Sequence, residues 1–119
     1  MANTFKVVTF AAEPYSAGSP YTIYTVPGST TTVVIGLVLA NIHNSAVTAE
    51  VELVSDTSGG GRAATNGTSF LVKDVNIPAA SSLEILSGGK VVLEAGDKIQ
   101  VDCSVADKLS GTLSIMEIT

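Results

Sequence analysis

The chain has 119 residues, 45% of them hydrophobic and 14% charged, with no tryptophan, one cysteine and a formal net charge of −5. That length accommodates one sandwiched core and not two. Cys103 alone excludes an intrachain disulfide or a thiolate metal cluster, and Lys6, Arg62, Lys73, Lys90, Lys98 and Lys108 stand too far apart to form the clustered positive charge that nucleic acid requires.

Met1 to Lys6 lacks a basic stretch followed by an apolar run, so no secretion signal is read and synthesis in a cytoplasm is expected. Nine segments then predict strands: Phe5–Phe10, Tyr21–Val26, Thr32–Ile42, Val47–Val54, Ser69–Ile77, Ser82–Leu86, Lys90–Glu94, Asp97–Val105 and Ser110–Ile118. Alternation is cleanest at Ile99, Val101, Cys103 and Val105 and at Val47, Ala49, Val51 and Leu53, where every second residue faces water. Apolar residues nowhere recur with helical spacing. The longest apolar run, Val33 to Ala40, falls short of the roughly 20 residues of a membrane helix, so no membrane partner is expected.

Turn residues separate the strands: Pro27-Gly28-Ser29, His43-Asn44-Ser45, Ser87-Gly88-Gly89 and Ala95-Gly96-Asp97, each able to take the positive φ of a tight reversal. Pro78 stops the strand ending at Ile77. Residues 11–20 form a Pro/Gly/Ser-rich link, and residues 55–68 a long loop of low hydrophobicity. The reading is all-β: a single antiparallel β-sandwich or jelly roll of about eight to nine strands, without substantial helix. Residues 1–20 are read as an N-terminal strand or arm with its link, and residues 21–119 as the sandwich domain.

The segment from Thr32 to Ile42 differs from the other strands in being apolar on both faces. A strand covered on one side leaves Val34, Val38 and Ile42 wet, so these three are expected to meet another copy or another protein. Tyr15, Tyr21 and Tyr24, close together near the link, are further contact candidates because tyrosine offers a large area with a polar tip. Phe5 and Val7 on the first strand, and Arg62 in the long loop, complete the candidate interface.

Catalytic, cofactor-binding and metal-ligating residues are not identified. His43 is the sole histidine, and a triad needs base, nucleophile and orienting acid together. Glu50 and Glu52 share one strand face about 7 Å apart, a spacing reminiscent of glycosidase carboxylates, but they occupy the wet face that alternation assigns them. Asp56, Asp74, Glu94, Asp97 and Asp102 do not form a calcium loop. Ser58-Gly59-Gly60-Gly61-Arg62 lacks the spacing of a phosphate cradle, and the sequon Asn66-Gly67-Thr68 has no secretion signal to accompany it.

Leu71-Val72-Lys73-Asp74-Val75-Asn76-Ile77-Pro78, followed by Ser82-Leu83-Glu84-Ile85-Leu86-Ser87-Gly88-Gly89-Lys90-Val91-Val92-Leu93-Glu94-Ala95-Gly96-Asp97 and the strand through Val101, resembles a pattern of small virion structural proteins of tailed bacteriophages. The upstream pair Thr32–Asn41 and Ala46–Val51 is similar to the strands that precede that pattern. The likeness spans roughly residues 30–118 and leaves the opening thirty without a counterpart. It implies a virion component, first a capsid decoration (cement) protein contacting the major capsid protein, and otherwise a neck, tail or host-contacting fibre part. It carries over no catalytic residue and no cofactor. A homo-oligomer, with a trimer favoured for threefold lattice sites, is expected in that setting. A carbohydrate-binding β-sandwich is the reading from a different class, and the shortage of aromatic side chains weighs against it.

Overall fold

The computed structural model describes residues 2–55 and 67–119. Among these residues nine strands follow one another: β1 (Asn3–Glu13), β2 (Tyr21–Thr25), β3 (Thr31–Asn41), β4 (Val47–Val54), β5 (Thr68–Ile77), β6 (Ser82–Glu84), β7 (Val91–Leu93), β8 (Lys98–Cys103) and β9 (Leu109–Ile118). Each falls on a predicted segment. Among the described residues there is no helix, and so none long and apolar enough to cross a membrane.

The strands form two antiparallel sheets. Sheet A runs β1-β9-β3-β6 with β7 also on β3, and sheet B runs β2-β8-β4-β5. The pairing is nested: first strand with last, β2 with β8, β3 with β6 and β7, and β4 with β5. One long hairpin is thus doubled back and rolled into two layers, which is the connectivity of a jelly roll. Strands β6 and β7 share β3 as partner, and Ser87-Gly88-Gly89 lies between them, with Ser87 and Gly88 at φ 47° and 87°. The first strand is not an arm apart from the body: β1 follows β9 through eight consecutive pairs, from Asn3–Ile118 to Phe10–Gly111.

The core lies between the layers. Phe10, Val34, Leu37, Leu39, Leu93, Leu113 and Ile115 come from sheet A, and Ile23, Val47, Ala49, Val51, Ile77, Ile99, Val101 and Cys103 from sheet B. Phe10 lies over Gly111 so closely that a methyl group there would overlap its ring, and the same ring tilts against Tyr21 at 5.6 Å. The apolar residues of the phage-like segment belong to this core but divide between its layers: Leu93 is buried in sheet A, Ile99 and Val101 in sheet B, and Leu83, Ile85 and Val91 pack partly buried against them.

Strand β3 departs from simple alternation at one residue. Val34 pairs with Ile115 and Gly36 with Ser114, which leaves Ile35 as an extra residue in the ladder, a β-bulge. One inserted residue exchanges the two faces beyond it. Upstream, Thr32 and Val34 are buried; downstream, the buried set becomes Leu37, Leu39 and Asn41, while Ile35, Val38 and Ile42 are exposed. The expectation that Val34 lies with Val38 and Ile42 on a wet face is therefore corrected: Val34 is 0% exposed inside a single copy.

Glu84 holds the bulge. Its carboxylate accepts from the backbone N–H of Leu37 at 3.2 Å and of Leu86 at 3.0 Å, while the Leu37 carbonyl accepts from Ile85 N–H at 2.8 Å. Both backbone groups of Leu37 are thereby satisfied beside the irregularity, as a buried peptide requires.

Candidate contact surface

In an antiparallel ladder, directly paired residues share a face. Phe5 pairs with Met116, Met116 with Val33, and Val33 with Val92, so four apolar side chains cross sheet A in one row on its outer face. Val7 and Ile118 stand in the adjacent rows, beside Ser114 and Thr31, and Ile35 bulges out next to Gly36. Phe5 is 73% exposed, Val7 62% and Val92 59%. Further along, the same face turns polar through Thr9, Thr112 and Glu84, with Val38 among them. From strand spacing and rise, the apolar end has a footprint of about 300 Å².

Inward of this patch, sheet A carries a polar cluster. Tyr24 O–H donates to Glu117 Oε2 at 2.6 Å, so the Thr32 hydroxyl, 2.8 Å from the tyrosine oxygen, acts as donor in that contact. Lys6 Nζ closes the cluster, 2.8 Å from Glu117 Oε1. The lysine, and then the tyrosine hydroxyl, hold the Glu117 carboxyl below its usual range. Burial, and then the bond to Glu117, push the Tyr24 phenol up to about 12. This cluster seals the end of the sandwich beneath Phe5 and Met116.

The sequence-derived candidates scatter. Phe5, Val7 and Val38 stand on the outer face of sheet A. Ile42, 49% exposed, lies just beyond β3. Tyr15 projects from the link, 85% exposed. Tyr21 is half-buried with its ring against Phe10, and the hydroxyl of Tyr24 is taken by Glu117 and Thr32, so Tyr24 does not present the free recognition tip expected of it. Arg62 and the loop around it, like Asp56 and the Gly59–Gly61 run, lie outside the described residues. Val33, Ile35, Val92, Met116 and Ile118 were missed. An isolated glycine within a strand signals a bulge, and Gly36 was the mark that could have moved the reading from Val34 to its neighbours.

The outer face of sheet B is of another kind. Thr22, Gln100, Glu52 and Phe70 form the corresponding row, and Gln100 Nε2 donates to Thr22 Oγ1 at 3.0 Å. Glu50 pairs with Lys73 at 2.9 Å, and the same ammonium lies 4.6 Å from the Phe70 ring centroid. A concavity of about 160 Å³ near Gly18, Glu50, Asp74 and Asp102 opens on this side, where Asp102 accepts from the Gly18 and Cys103 backbone amides. His43 lies in the turn after β3; its backbone N–H donates to Asn41 Oδ1, and Asn41 Nδ2 donates towards the carbonyls of Ser45, Ile77 and Pro78.

Searches against family models, curated proteins and solved structures find no match to this chain.

Proposed function

We propose that this protein is a non-enzymatic structural component of a tailed-phage virion, a decoration protein that stabilises the capsid through repeated protein–protein contacts. The observation that carries the reading is the row Phe5–Met116–Val33–Val92, an uncovered apolar band on the outside of a folded sandwich. The resemblance of residues 30–118 to phage structural proteins supports it, and so does the roll topology, which viral shells use. Fold alone assigns no function.

Energetics favour many contacts over one. Covering about 300 Å² of apolar surface contributes roughly 7 kcal/mol, whereas association costs about 4–15 kcal/mol in lost freedom. A single such contact is near balance, and repetition over a lattice converts it to stable attachment. The test is to locate and count the chain in purified particles. Copies approaching the number of capsid subunits or of their threefold sites support decoration; about a dozen or fewer, as in closed rings, move the protein to the neck or tail; absence from particles removes the proposal.

The exposure of Tyr15 favours a second reading, glycan binding by the same fold, which lectins also use. Glycan binding that is lost in Tyr15→Ala, in a protein absent from particles, would put it first.

A further inference from the structure

We infer that two copies of this chain associate through the free edge of β1, pairing antiparallel about a two-fold axis near Val7 so that the two A sheets become one. The inference stands on the edge of the strand, independently of the virion reading. Ala2 and Thr119 exchange both backbone hydrogen bonds, at 3.1 and 3.0 Å, and the register then continues without a shift to Phe10. Hydrogen-bonded and non-bonded pairs alternate in such a ladder. Thr4, Lys6, Val8 and Phe10 therefore bond to β9, while Asn3, Phe5, Val7 and Thr9 aim their N–H and C=O groups away from it. Among the described residues β9 is the only strand that β1 pairs with, and every residue from Asn3 to Val7 is exposed.

The other edges are blunted in the ways proteins use to prevent pairing. Strands β6 and β7 are three residues each. Strand β2 has five and a register shift. Strand β5 has two shifts, the first of which contains Lys73 and Asp74, the latter at φ 51°. Among the described strands only β1 offers a long, regular edge row, from Asn3 to Phe10, and its one lysine is drawn inward to Glu117.

Charge and symmetry select a second copy. An edge pairing antiparallel with itself needs no other sequence, and a two-fold axis perpendicular to the sheet keeps both outer faces on one side. No acid lies on β1 before Glu13, so the net charge of −5 is kept off the seam. Centring on Lys6 would set the two lysines opposite each other, and like charges there are destabilising. Centring on Val7 sets Lys6 against Val8, Phe5 against Thr9, and Val7 against itself, using the regular strand from Thr4 to Phe10 and leaving the register shift between Phe10 and Glu13 outside the seam. The two apolar outer patches then flank one seam.

The test uses the purified full chain. Light scattering on a sizing column should give the mass of two chains. Val7→Pro removes an outward N–H and leaves the ladder to β9 intact, so it should give the mass of one chain with an unchanged circular dichroism spectrum. Val7→Cys should form a disulfide-linked dimer on mild oxidation, since hydrogen-bonded pairs place Cα atoms about 5.5 Å apart, within disulfide reach; Phe5→Cys, about four residues from its own copy along the seam, should not. Cys103 is buried and serves as the background. A wild-type mass of one or three chains overturns the inference. So does a dimer that survives Val7→Pro and fails to cross-link through Val7→Cys, which would locate the contact on the outer face instead.

Discussion

Across sheet B the row Thr22, Gln100, Glu52 and Phe70 meets water; across the outer face of sheet A, on the other side of the sandwich, runs the row Phe5, Met116, Val33 and Val92. The first row is polar and is tied to its neighbours, through the Gln100–Thr22 hydrogen bond, the Glu50–Lys73 pair beside it and the lysine over Phe70. The second has no polar group to satisfy and gains only when something displaces its water. The two sheets contribute alike to the core, so the difference lies outside what folding requires. Residues that stabilise the fold and residues that favour contact are therefore separable by substitution.

The largest separation is expected between neighbours on β3. Leu37→Ala, inside the bulged register, should cost about 3 kcal/mol, whereas Val38→Ala, one residue on and facing out, should stay within about 0.5 kcal/mol; urea unfolding of the pair measures it. Equal losses would mean that the bulge at Ile35 is misplaced and the two-face comparison with it. Next is the brace of that bulge: Glu84→Ala leaves Leu37 N–H without its partner and should cost about 2 kcal/mol, again by urea unfolding.

The cluster under the apolar patch predicts a pH dependence. The Glu117 carboxyl is held below its usual value in the fold, so its contribution is complete above the unfolded pKa and is lost as pH falls through the folded one. Tyr24 is raised from 10.0 to about 12, so its contribution is complete below pH 10 and is lost as pH rises through about 12. Thermal melting across pH should show both limbs, and Glu117→Gln should flatten the acid limb and cost about 1 kcal/mol at neutral pH. The smallest effect on stability sharpens the comparison most: Val92→Thr and Glu52→Gln should each change unfolding by less than about 0.5 kcal/mol, while only Val92→Thr lowers occupancy on particles.

Much of the fold was legible because alternation reports burial directly wherever a ladder is regular. Val47, Ala49 and Val51 on β4, and Ile99, Val101 and Cys103 on β8, are buried as their spacing predicts. The candidate surface was only half legible. Strand β3 announced an apolar second face, but the bulge at Ile35 moved that face to Val33, Ile35 and Val38 and drew Val34 into the core. Register across strands was invisible for a further reason: the meeting of Phe5, Met116, Val33 and Val92 depends on the nested pairing of four strands, which no local pattern encodes. Tyr24 misled because its hydroxyl partners, Thr32 and Glu117, lie on other strands, the latter 93 residues away.

The most direct measurement is hydroxyl-radical footprinting of the free chain and of the chain in purified particles, reading Phe5 and Met116 on sheet A against Phe70 on sheet B. A contact face predicts that Phe5 and Met116 lose reactivity on assembly while Phe70 keeps it. Phe5 and Met116 that react as readily in the particle as in the free chain would contradict the account.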